Sequence, residues 1–224
     1  MTLSSAVQRR AWWRQPSFLL LLVLLLSLAL YPFAGLNPAF RAAALALDVV
    51  VVLFLVRVIR AHETWMASGW VIAVPTVILQ VWQLLAPDSS VELAMWWCQV
   101  LFHGYAILAL LSYVLRDPWI TLDELFAIAA TYVLIALLWA SAYAIVVHSD
   151  PAAIFINPTN NLDGRVDWPD LVYYSMTTLS STGYGEITPV SPAARALAML
   201  QQVVGVLFVA ILVARLTGLY RKRD

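Results

Sequence analysis

Charge is what this sequence is short of. Asp, Glu, Lys and Arg make up 12% of its 224 residues, while 62% are hydrophobic, and 13 basic residues offset 13 acidic ones. Soluble domains carry about 25% charged residues, so the shortage excludes a water-soluble globule. A net charge of zero offers no basis for binding nucleic acid. With a single cysteine, Cys98, an intrachain disulfide is excluded, and the redox compartment stays unread. Histidine is equally scarce. His62, His103 and His148 are all there is, and two of them fall near the ends of apolar runs, which argues against a membrane haem protein with ligands on facing helices. The apolar runs are themselves too long for barrel strands, which need only about ten alternating residues. What is left is an all-α membrane protein.

Six stretches are long enough to cross a hydrocarbon core ~30 Å thick, which takes about 20 helical residues. They cover 17–36, 41–60, 68–86, 92–115, 121–147 and 193–219, with a shorter amphipathic helix expected over 168–180. Asn37-Pro38, Ala86-Pro87-Asp88 and Arg116-Asp117-Pro118 punctuate them as turns. Pro75 is expected to kink the third span, which membrane helices tolerate. The first run follows Arg9, Arg10 and Arg14 but is long for a signal peptide and lacks a small-residue cleavage site, so it reads as a retained span. With the N-terminus inside, ten of the 13 basic residues are cytoplasmic and only Arg41, Arg165 and Arg195 are outside. The positive-inside rule therefore places both termini in the cytoplasm of a multi-pass protein of the plasma (inner) membrane. Trp12, Trp13, Trp65 and Trp119 fall at the inner interface, and Trp82, Trp96 and Trp97 at the outer one, as an aromatic belt.

The fourth span lacks Lys and Arg from Leu93 to Leu115. A voltage sensor needs several such charges to move through the field, so steep voltage gating through this helix is not expected. His103 is the ionisable group deep in that span, expected to be neutral and bonded to a neighbouring helix. Asp48, in the second span, lies near enough the outer end to reach interfacial water or Arg41, and also stands as a functional candidate.

Between the last two spans runs Thr177-Thr178-Leu179-Ser180-Ser181-Thr182-Gly183-Tyr184-Gly185-Glu186. Gly-rich loops that cradle phosphate carry a Lys that is missing here. In a membrane such a loop has another use, because rings of backbone carbonyls can replace an ion's hydration shell. Gly tolerates the φ/ψ angles that this requires. Before the loop, Asp167 and Pro169 suit the start of a helix. Its C-terminal end would present partial negative charge to a cation. Thr121 and Glu124 form a capping-box pattern that opens the fifth span.

The segment Ser181-Thr182-Gly183-Tyr184-Gly185-Glu186 resembles the selectivity filter of the potassium-channel pore-loop superfamily, whose signature is T-V-G-Y-G-D. The resemblance covers about residues 121–221 and is to the prokaryotic six-span type without a charged voltage sensor. It implies a four-helix transmembrane bundle over 1–118 and a pore domain over 119–224. The pore domain would contain an outer helix (121–147), a re-entrant pore helix (168–180), a filter (181–185) and an inner helix (193–219). By the family's pattern, Ser181, Thr182, Gly183, Tyr184 and Gly185 would form the potassium sites. Tyr173 and Tyr174 would pack around Tyr184, with Thr177 and Glu186 in support. Gly205, twenty-two residues after Gly183, matches the family's gating hinge, although a helical glycine also serves close packing. Val206, Val209 and Val213, joined by Thr217, share one face at helical spacing and would line the cavity.

Three positions depart from the pattern. Ser181 replaces Thr, Thr182 replaces Val and brings a hydroxyl that needs a partner, for which Thr177 is within reach, and Glu186 replaces Asp. None removes a carbonyl. The resemblance implies a fourfold homotetramer conducting potassium passively through the lipid bilayer, with K+ ions in the filter, no catalysis, no organic cofactor and no nucleic-acid partner. A non-selective monovalent cation channel and a non-conducting structural subunit are the alternatives. No segment after Arg223 offers a nucleotide- or calcium-binding module, so gating is expected to come from the membrane, pH, ions or the filter.

Overall fold

A computed structural model of the chain describes residues 15–33, 38–60, 66–86, 88–116, 121–159 and 164–220. The basic N-terminal segment, the turns at 34–37 and 117–120, His62, Trp65 and the final Arg-Lys-Arg lie outside the described residues, and with them much of the orientation argument. Seven α-helices are described: α1 (Pro16–Leu30), α2 (Pro38–Arg60), α3 (Met66–Leu85), α4 (Ser89–Arg116), α5 (Leu122–Ser149), α6 (Trp168–Leu179) and α7 (Pro192–Tyr220). A short 3-10 turn, Tyr31–Phe33, follows α1. Two three-residue strands, β1 (Ile154–Ile156) and β2 (Ile187–Pro189), flank α6 in sequence.

Four described segments are long and apolar enough to cross a membrane: Pro16–Phe33, Ser89–Arg116, Leu122–Ser149 and Pro192–Arg215. The apolar stretches of α2 and α3 are shorter, Ala42–Leu55 and Gly69–Leu85. The sequence shows why for the first: Arg41, Arg57 and Arg60 bracket it.

Helix α5 is the centre of the packing. It lies against α1, α4, α6 and α7, and its Ala127, Ala130, Ala136 and Ala140 are buried. Small residues let helix backbones approach closely where lipid supplies no hydrophobic drive between helices. The helix starts at a complete capping box. Thr121 Oγ1 accepts from the Glu124 N–H at 3.3 Å, and Glu124 Oε2 accepts from the Thr121 N–H at 2.7 Å. Asp123, just before Glu124, serves other helices. Asp123 accepts from the Ser17 N–H (3.1 Å), the Ser17 hydroxyl (2.9 Å) and the Tyr113 hydroxyl (2.9 Å). Thus α5 satisfies one orphan donor in the first turn of α1 and holds α4 beside it.

The loop between α5 and α6 is partly ordered. Helix α5 continues through Ser149, and β1 pairs antiparallel with β2, Phe155 opposite Thr188. Asn157 N–H donates to the Glu186 carbonyl at 2.9 Å and Val190 N–H to the Ala153 carbonyl at 2.8 Å. The ladder ties the loop before α6 to the segment leaving the Gly-Tyr-Gly stretch.

Candidate pore site

Helix α6 begins with Trp168-Pro169. A proline in the first turn forfeits only an N–H that has no intrahelical partner there, and the Asp170 carboxylate accepts from the Asp167 N–H at 3.0 Å. The helix ends at Leu179. Its last turn runs directly into the candidate filter. Ser180 N–H donates to the Met176 carbonyl (3.0 Å). The Thr177 carbonyl then accepts from both Thr182 N–H (2.8 Å) and Gly183 N–H (3.2 Å).

From here φ is positive at every second residue: 57° at Ser181, 52° at Gly183 and 92° at Gly185, while Thr182 and Tyr184 are not in that region. A strand of repeating φ/ψ turns successive peptide groups to opposite sides. Alternating the sign of φ cancels that reversal and brings successive peptide dipoles to one side. Gly adopts the left-handed region freely. For Ser181 the same angle costs about 1–2 kcal/mol, so the surrounding bonds must enforce it. The five residues Ser181–Gly185 are all exposed in the single chain.

The side chains around this loop divide their work differently from the expected pattern. Tyr173 stacks on Tyr184 with ring centroids 6.4 Å apart and an interplanar angle of 7°. Its hydroxyl also donates a short hydrogen bond to Glu186 Oε1. That bond raises the Tyr173 phenol from its ordinary value of 10 to about 12. Tyr174 does not share this role. It is buried edge-on against Tyr143, 4.9 Å between centroids. The expected link from Thr182 to the Thr177 side chain is likewise not what the structure holds. Thr182 Oγ1 lies 2.9 Å from Ser180 Oγ, and the Thr177 hydroxyl donates to the Tyr174 carbonyl at 3.0 Å. Thr177 supports the loop through its carbonyl instead.

Helix α7 closes against the back of α6. A Cβ at Gly205 would lie 2.1 Å from the Leu179 carbonyl oxygen, so the glycine is where the two backbones meet. This gives Gly205 a packing reason. One turn earlier, Gln201 is fully buried. Its amide nitrogen donates to the Ser175 carbonyl (3.0 Å) and Ser175 Oγ (2.7 Å). Its oxygen accepts from the Tyr143 hydroxyl at 2.7 Å. Ser175 Oγ donates in turn to the Ala136 carbonyl at 2.6 Å. One amide therefore joins α5, α6 and α7. Sequence reasoning passed over this group, although a glutamine inside an apolar run is itself a signal for an interhelical bond.

Val206, Val209 and Val213 are exposed on α7 at 57%, 47% and 52%. A cleft of about 680 Å3 lies between the loop and this helix. Thr177, Ser181, Gly183 and Gly185 line one side, and Gln202 and Val206 the other. The alternating backbone and the apolar face of α7 thus open onto the same space.

These features define a membrane-embedded helical protein whose last two long helices bracket a short helix and a glycine-rich loop. A family model described as "Ion channel" matches residues 104–222, more than half of the chain. The chain belongs to this ion channel family. No curated protein and no solved structure matched it.

Proposed function

We propose that the protein is a potassium-selective channel. Four copies assemble around an axis, and each contributes one filter strand from Ser181 to Gly185 and one pore helix, α6. The observation that carries this reading is the φ alternation at Ser181, Gly183 and Gly185, anchored on the Thr177 carbonyl. A backbone set this way can offer a column of oxygens to a dehydrated monovalent cation. The α6 C-terminus adds partial negative charge behind it. The Tyr184–Tyr173–Glu186 chain holds the outer end of the strand, and the cleft toward Val206, Val209 and Val213 supplies the water-filled approach. In this reading the first four helices cross the membrane with α5 and α7 to make six spans. Both termini are cytoplasmic in the plasma membrane, the bundle covers 1–118 and the pore domain 119–224. The role is conduction rather than catalysis.

The test is ion flux in proteoliposomes. Under a potassium gradient with sodium opposed, the reversal potential should follow potassium, and Gly183→Ala, forced into a left-handed angle, should abolish the flux. A reversal potential that ignores which cation carries the gradient refutes selectivity. Absence of flux from correctly assembled wild-type protein refutes the channel.

A further inference from the structure

A second cavity, of about 20 Å3, lies among α2, α3, α4, α5, the turn after α1 and the first residue of α6, away from the filter. Its walls are polar for the interior of a bundle of apolar helices. Facing Asp48 of α2 across it are Tyr31 from the turn after α1, Gln80 from α3, Gln99 and His103 from α4, Leu137 from α5 and Trp168 from α6. Of these only Tyr31 and His103 titrate, and none is a permanent charge. Asp48 Oδ1 accepts from the Tyr31 hydroxyl at 2.5 Å, and among the described residues no cation pairs with it. Farther out, Trp96 donates to Glu92 at 3.4 Å, and Glu92 lies 3.9 Å from His148.

The chamber holds polar atoms that the protein leaves unpaired. Gln80 Oε1 and His103 Nδ1 are buried without a hydrogen-bond partner among the described residues, in side chains only 6% and 8% exposed. Beside them the Asp48 carboxylate accepts from Tyr31 alone among the described residues. Leaving such groups unsatisfied in an apolar interior is costly. A cavity admits a water once about 10–15 Å3 is free, so there is room for one. A proton on Asp48 turns an acceptor into a donor, which the unpaired Gln80 Oε1 can use through that water.

We propose that this chamber is a protonation site. Asp48 takes up a proton from the aqueous phase, and one water shares it with Gln80 and His103. The site reaches α6 by a short route. Tyr31, held by Asp48, lies edge-on to Trp168, with centroids 6.0 Å apart and an interplanar angle of 80°. Trp168 is the first residue of α6 and stacks on Trp96 at 4.9 Å. Neutralising the carboxylate converts a charge-assisted bond to an ordinary one, roughly half as strong. That loosens Tyr31 where it seats the start of α6. The effect on conduction rests on reading α6 as a pore helix, whereas the protonation itself does not.

Infrared difference spectra of the full chain in lipid test the site without requiring conduction. Between roughly pH 9 and roughly pH 5.5 exposed carboxylates stay ionised, so a carboxylic-acid C=O band growing over this range reports a shielded group. The band should shift with isotope-labelled aspartate and vanish in Asp48→Asn. No band, or a band indifferent to the label, overturns the proposal even if the Asp48→Asn variant fails to fold. Potassium flux measured over the same range should change severalfold in the wild type and stay flat in Asp48→Asn. Tyr31→Phe should keep the band and lose at least half of the flux response. A wild-type flux response retained in Asp48→Asn overturns the coupling. A band present in protein that conducts nothing upholds the protonation site and refutes the pore reading instead.

Discussion

Replacing Gly205 by alanine distinguishes a packing role from a bending role. The new Cβ would sit 2.1 Å from the Leu179 carbonyl oxygen and 3.0 Å from its carbon, where ordinary contact begins at 3.4 Å. The shortfall is 3.4 − 2.1 = 1.3 Å. The obstructing atoms are backbone, so no rotamer change relieves them, and α7 must move away from the end of α6. Overpacking of this kind costs about 1–3 kcal/mol, and the upper end applies because backbone must shift. Gly→Ala in a helix interior returns about 1 kcal/mol. The net expectation is a loss of about 2 kcal/mol, near thirtyfold in the folding equilibrium. Because Leu179 lies two residues before Ser181, where the proposed filter begins, cation selectivity should degrade with it. Thermal melts followed by helical circular dichroism, together with reversal potentials, measure both. A bending role alone predicts the reverse: stability raised by about 1 kcal/mol, selectivity kept and only opening impaired. Wild-type-like or raised stability with intact selectivity would sink the packing argument.

Three further outcomes are expected. Gln201→Leu leaves the buried Tyr143 hydroxyl without its acceptor, at a cost of about 1–3 kcal/mol; in a double-mutant cycle with Tyr143→Phe the two changes should be less than additive, and full additivity argues against the bond. Asp123→Ala removes the acceptor for the Ser17 N–H and hydroxyl, a lost cap worth about 1 kcal/mol; amide exchange at the start of α1 should accelerate, more than in Asp123→Asn. The Tyr173 midpoint is raised from 10 to about 12, with the bond to Glu186 as the largest cause, so the protonated link stabilises the loop fully below pH 10 and is lost as pH climbs through about 12. Tyrosinate absorbance should contain a component at about that midpoint which Tyr173→Phe deletes, and an unchanged titration curve would refute the assignment.

What could be read in advance was local. The capping box at Thr121 and Glu124 lies within four consecutive residues, and the start of α6 is written in Asp167-Trp168-Pro169. The positive φ of Gly183 and Gly185 follows from their lack of a Cβ. Ser181 carries no such mark, because its left-handed angle is imposed by hydrogen bonds to the preceding turn. The remaining misses are long-range. Gln201 meets Ser175 and Tyr143 across 26 and 58 residues, a pairing that periodicity does not encode. From the sequence Asp48 reads either as a functional group or as one that reaches interfacial water or Arg41, whose side chain lies outside the described residues. Its bond to Tyr31 depends on how α1 and α2 pack. The division of labour between Tyr173 and Tyr174 follows from a 100° turn of the helix, which sends adjacent tyrosines to different surroundings.

The Asp123 contact also bears on how the chain is made. Ser17 and its acceptor are 106 positions apart, and synthesis runs from the N-terminus. The opening helix therefore reaches the bilayer well before the carboxylate that finishes it has left the ribosome. Until the fifth helix arrives, its leading amides must be satisfied by lipid headgroups or water. The end of the bundle where α1 begins is then the last part of this half of the molecule to set.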